Sequence, residues 1–173
     1  MATNHRLEQL ESTVQASRVE DLSSNEWEQI REICVNHMQD EGGPTPLRLR
    51  WARLALRAIS GKYNSHPPLR EKRVADEAWV RAYAVRALMQ SAAERTAEST
   101  RLCAYVLGHM DLSREAASQA SSTFSPSRPQ EMLHLRRIKN MLSPLTQVYE
   151  FLEDGTDLKE ETAAWLDLLP RLP

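Results

Sequence analysis

The residue types in this sequence that could do chemistry are few, and their spacing decides most of the cases. Glu131 and His134 form one Glu-x-x-His step, which puts both on one face of a helix, as carboxylate-bridged di-iron bundles require. Such a site needs a second step of the same kind and two further carboxylates, and the sequence contains no second Glu-x-x-His. The pair reads instead as a solvent-facing acid beside a half-buried histidine. Cys34 with His37, and Cys103 with His109, would be a four-ligand zinc set drawn from two helices. Cys103 and His109, however, lie about 240° apart around a helix and do not share a face. Both cysteines sit among apolar residues, where unliganded cysteine is common. No glycine-rich phosphate loop, no G-x-S-x-G elbow and no H-E-x-x-H helix is present. The sequence therefore assigns no catalytic residue, no metal ligand and no cofactor.

Arginine carries the remaining signal. The 22 basic side chains comprise 18 Arg and 4 Lys, and they are unevenly placed. Residues 1–45 hold 3 basic and 9 acidic side chains, residues 46–95 hold 11 and 4, and residues 96–173 hold 8 and 11. The chain is acidic, then basic, then acidic, around a net charge of -2. Within the basic third, "RLRWARLALRAIS" (residues 48–60) reads as a helix apolar around most of its circumference. Arg50, Arg53 and Arg57 fall within an arc of roughly 60° on it, opposite Leu47, Trp51, Leu54 and Ala58. With Lys62, Arg70, Lys72 and Arg73 they form a candidate surface for carboxylates or phosphates, because guanidinium groups make planar bidentate contacts. The complementary acidic face is Glu26, Glu28 and Glu32 on the preceding helix. The alternative is that the two faces simply pair within one molecule. A partial echo at "WVRAYAVRAL" does not repeat the strip, since Arg81 and Arg86 lie about 140° apart.

The elements that position these groups are helices throughout. "SSNEWEQIREICVNHM" starts with Ser23 three residues before Glu26, the capping-box spacing, followed by Trp27, Ile30, Cys34 and Met38 on one face. "DEGGPTP" ends that helix, and Thr45 is read as the cap of the next, with Pro46 at its first position and Gly61 as its stop. From Leu69 two helices are expected, with a break near Thr96–Thr100 where hydroxyls compete for backbone bonds. A short helix follows, capped by Asp111 or Ser113. Then come "QEMLHLRRIKNML", "PLTQVYEFLE" and "LKEETAAWLDLL", the last with Asp157 and Glu160 at capping-box spacing. Strand patterns are nearly absent.

The expected fold is thus all-α, a compact bundle of about seven or eight helices. Residues 1–22 are a marginal helix or mobile tail, 23–120 the main body, 121–129 a linker, and 130–173 a C-terminal helical group packed on the body. Two cysteines without a framework, and no run of roughly 20 apolar residues, suit a soluble intracellular protein and no membrane span. The function that fits is a non-catalytic interaction protein that self-associates as a homo-oligomer or docks on an acidic protein partner. Copies would join head to tail if the acidic helix lies far from the strip. The alternatives are a nucleic-acid-binding coat or nucleocapsid-like protein, and an enzyme without a readable motif.

Overall fold

The computed structural model describes residues 2–16, 21–64, 70–110, 113–122 and 129–172. Among these the chain is all-α, with no strand. The helices are α1 (Ala2–Ala16), α2 (Ser24–Gln39), α3 (Thr45–Tyr63), α4 (Arg70–Ala87) and α5 (Ala92–Leu107). They continue with α6 (Arg114–Ser122), α7 (Pro129–Lys139), α8 (Leu142–Tyr149) and α9 (Asp157–Leu168), and a 3-10 turn at Leu169–Arg171 follows. No described helix is long and apolar enough to cross a membrane. Contacts divide the chain into two compact units, Met1–Val80 and Arg81–Pro173, with the division inside α4.

The first unit is built on a hairpin of α2 and α3. The capping box forms: the Ser23 backbone N–H donates to Glu26 Oε2 (2.7 Å), and the Glu26 N–H donates to Ser23 Oγ (3.3 Å). The face read from the sequence, Trp27, Ile30, Cys34 and Met38, is buried. It packs on α3, where Trp51, Leu54, Ala55, Ala58 and Ile59 are also buried. The two helices run antiparallel, since Arg48 at the start of α3 reaches Met38 while Gly61 near its end lies under Trp27. Gly61 is therefore not a stop. α3 continues to Tyr63, and a Cβ at Gly61 would sit 2.5 Å from the Trp27 ring, so this glycine is there for close approach. Thr45 is not the cap either: Pro44 occupies that position without a side-chain bond, and its carbonyl accepts from Leu47 and Arg48. α1 packs on α3, and Leu7 is completely buried, so residues 2–16 take the helical one of the two forms expected for 1–22; residues 17–20 lie outside the described residues.

In the second unit α9 contacts α5, α6 and α8. Its Trp165 is buried, and Arg114 of α6 pairs with Glu161 (2.9 Å). Helices on both sides of 121–129 thus share one core, and the chain divides within α4 rather than at that stretch, of which residues 123–128 lie outside the described residues. α9 needs neighbours from both sides to cover its apolar face. The expected break at Thr96–Thr100 falls earlier, at 88–91, where Ser91 caps α5. The Thr100 hydroxyl donates to the Thr96 carbonyl (2.9 Å), so it is satisfied inside the helix. Ser113 caps α6 through the Ala116 N–H (3.2 Å). The cap of α9 is Thr156, one position before the expected Asp157, which leaves Asp157 and Glu160 in a first turn where negative charge is favourable.

Candidate functional site

α3 carries the arginines, and the structure gives each a different fate. Arg48 is buried, and its Nε donates to the Met38 carbonyl (2.8 Å), placing a cation at the C-terminus of α2. Arg50 is half-buried and grips Glu11 of α1 with both arms of its fork, Nη2 to Oε2 at 2.6 Å and Nε to Oε1 at 3.3 Å. Arg53 and Arg57 are exposed, and among the described residues neither forms an ion pair or hydrogen bond. Lys62 donates to Glu28 (2.7 Å), and its side chain is only 17% exposed. On α4, Arg73 donates to Glu77 (2.9 Å) and to Ser60 Oγ (3.3 Å), while Arg70 and Lys72 are exposed.

The acidic face is equally divided. Glu26 is held in its own capping box, and the Ser23 hydroxyl beside it lowers its carboxyl from the ordinary value. Glu28 sits between Arg31 (2.7 Å) and Lys62 (2.7 Å). The Arg31 hydrogen bond, reinforced by Lys62 against the effect of burial, brings Glu28 down to about 2. Glu32 is exposed. α2 is the principal neighbour of α3. The Lys62–Glu28 pair is the intramolecular alternative realised at that position.

A network closes this side of the hairpin. The Tyr63 hydroxyl donates to Asp76 (2.8 Å), and burial followed by that bond pushes its phenol above the ordinary value. Asp76 and Glu32 also act on Arg31, whose pKa is raised chiefly by its bond to Glu28. Sequence reasoning missed Glu11, Asp76 and Glu77 as partners. Arg73 and Glu77 stand four apart on one helix, a readable signal, whereas Glu11 and Arg50 are 39 positions apart.

Among the described residues no three histidine, cysteine or acidic side chains are grouped to hold a metal. Cys34 and Cys103 are buried free thiols in different units, pushed by burial up to about 12 and about 11. His37 stacks on Trp51 with ring centres 4.5 Å apart, and His109 Nδ1 lies 2.7 Å from the Tyr105 carbonyl. The side chain of Glu131 lies outside the described residues. An open groove of about 530 Å³ runs along α1, lined by Arg6, Gln9, Leu10, Ser12, Thr13 and, from α2, Ile33.

What remains outward-facing on α3 is a pair of cations at i and i+4. Such a pair costs a few tenths of a kcal/mol in an isolated helix and can hold carboxylates or phosphates from outside. Compared with protein-family models, with curated proteins and with solved structures, the chain matches none.

Proposed function

We propose that this protein is a non-catalytic helical interaction module that docks on an acidic protein segment through Arg53 and Arg57 of α3. One observation carries the reading: on a helix whose other cations, Arg48, Arg50 and Lys62, are all engaged internally, these two face outward without a carboxylate among the described residues. A short acidic segment suits them better than a nucleic acid. Tight binding of a nucleic acid draws on many phosphate contacts, whereas α3 turns two cations outward, enough for a short run of carboxylates.

The test uses fluorescent poly-L-glutamate and poly-uridylate RNA as probes, with the wild type and the Arg53→Gln/Arg57→Gln double variant, in 0.1 M and 1 M salt. The double variant folds as the wild type does, because both side chains are exposed and Gln has a similar helix propensity. Poly-L-glutamate binds the wild type, weakens as salt screens it, and is lost in the variant. Equal binding by both proteins overturns the reading. Binding of RNA alone, with a steep salt dependence that flattens in the variant, replaces the acidic partner by nucleic acid. Light scattering on the same samples shows whether the partner is another copy.

A further inference from the structure

Few devices hold α1 to the first unit. It has no acidic residue in its first turn and no basic residue in its last, so nothing on it offsets the helix dipole. A helix of its 15 residues is marginal in water without tertiary contacts. Its anchors are Leu7, completely buried, and the Glu11 carboxylate on Arg50 (2.6 Å). Leu10 and Val14 are only half-buried, and the open groove beside Ile33 shows that α1 leaves part of the surface next to it unfilled.

What α1 covers is the first member of the arginine row. Arg50, Arg53 and Arg57 share one face of α3, and α1 takes Arg50 while leaving the other two open. It behaves as a partial ligand: an apolar side chain in a pocket, and a carboxylate four residues on in a guanidinium fork. We propose that α1 occupies in cis the docking site of the partner. An acidic amphipathic helix of the partner protein, presenting a leucine and a glutamate four residues later with further carboxylates for Arg53 and Arg57, displaces α1 from α3. This rests on the reading of Arg53 and Arg57 given above.

The energetics have a definite sign. A ligand shifts an equilibrium only through contacts its competitor lacks. The incoming helix makes contacts to Arg53 and Arg57 that α1 does not, while α1 holds the advantage of its tether, an effective concentration on the order of millimolar. Charge alone suffices to dock on Arg53 and Arg57 but not to displace α1, since a polyanion without an apolar anchor leaves the Leu7 site empty.

The molecule carries its own reporters. Cys34 on α2 is completely buried, and the Glu11 charge on α1 acts on its thiol. Cys103, buried in the other unit, responds only to opening there. Alkylation of the two thiols therefore separates opening of the first unit, which release of α1 entails, from opening of the second.

The experiment uses the full chain and a fluorescent peptide of residues 2–16 as probe. Wild type binds the peptide weakly, because its site is occupied. Leu7→Ala in the chain, which weakens the cis helix, binds the peptide about tenfold tighter, and Arg50→Gln in the same background removes the gain. Cys34 of the Leu7→Ala variant is alkylated faster at an unchanged Cys103 rate. Should Leu7→Ala not fold, Glu11→Gln gives a smaller gain of the same sign. The proposal is overturned if the variants bind the peptide no better than wild type, or if both thiols accelerate together. Dimerisation of Leu7→Ala without peptide binding also overturns it, in favour of exchange of α1 between copies. Loss of the peptide effect with poly-L-glutamate binding intact removes this inference alone. Unchanged poly-L-glutamate binding in Arg53→Gln/Arg57→Gln removes the reading beneath it.

Discussion

Replacing Gly61 by alanine sets two effects of known sign against each other. Alanine in a helix interior is favoured over glycine by about 1 kcal/mol. At this position the new methyl would lie 2.5, 2.6 and 2.8 Å from three atoms of the Trp27 indole. Carbon atoms attract at about 3.5–4.0 Å, so the ring or α3 must move by roughly 1 Å. Trp27 is 3% exposed and rigid, and no flexible tip can swing aside. It also immediately precedes Glu28, so shifting α2 there disturbs the Arg31 and Lys62 contacts. Overpacking of a filled core costs about 1–3 kcal/mol and occasionally more, and a rigid obstacle places this case at the upper end. The net loss is about 2 kcal/mol after the propensity gain. Urea unfolding followed by circular dichroism reads it as a midpoint lowered by roughly 1 M, taking a slope of about 2 kcal/mol per M. A double-mutant cycle isolates the cause: in a Trp27→Leu background Gly61→Ala becomes neutral or stabilising. If alanine raises the midpoint in the wild type, or lowers it equally without the indole, the close-approach argument fails.

The carboxyl of Glu28 lies at about 2 in the folded chain against an ordinary 4.5, so its contribution to stability is complete above pH 4.5 and disappears as pH falls toward 2. Glu28→Gln flattens that acid limb of the stability curve by on the order of 1–2 kcal/mol after allowance for screening, and an unchanged limb would show that the Arg31 and Lys62 contacts contribute nothing. Arg48→Ala leaves the Met38 carbonyl at the end of α2 without its donor and removes a buried stem. A cost of about 2–3 kcal/mol follows, read as a melting temperature lower by about 5–10 °C, and a melt within 1–2 °C of wild type would contradict it.

Much of the first unit was legible because its determinants are local. The Ser23–Glu26 box and the burial of Trp27, Ile30, Cys34 and Met38 follow from spacing alone, since 3.6 residues per turn fixes which side chains share a face. The all-helical class follows from the same periodicity, and so does the exposure of Arg53 and Arg57 opposite the apolar cluster. Ambiguity entered wherever one residue type serves two purposes. Glycine ends helices and also lets a neighbour close in, and at position 61 only the Trp27 ring, brought in by the antiparallel turn of the hairpin, decides between them. Hydroxyl residues break helices or bond back to the preceding turn, and Thr96 and Thr100 do the second.

The candidate site shows the same divide more sharply. Local periodicity placed Arg50, Arg53 and Arg57 on one face and could say nothing about what lies over that face. Glu11 reaches Arg50 across 39 positions and Glu28 reaches Lys62 across 34, distances at which the chain carries no register between the two residues. Which arginines stay available was therefore settled by where α1 and α2 pack on α3. The sequence by itself determined the helices and the arc on which the charges stand; tertiary packing decided which charges face water, because an ion pair forms only after apolar burial has brought its two helices together.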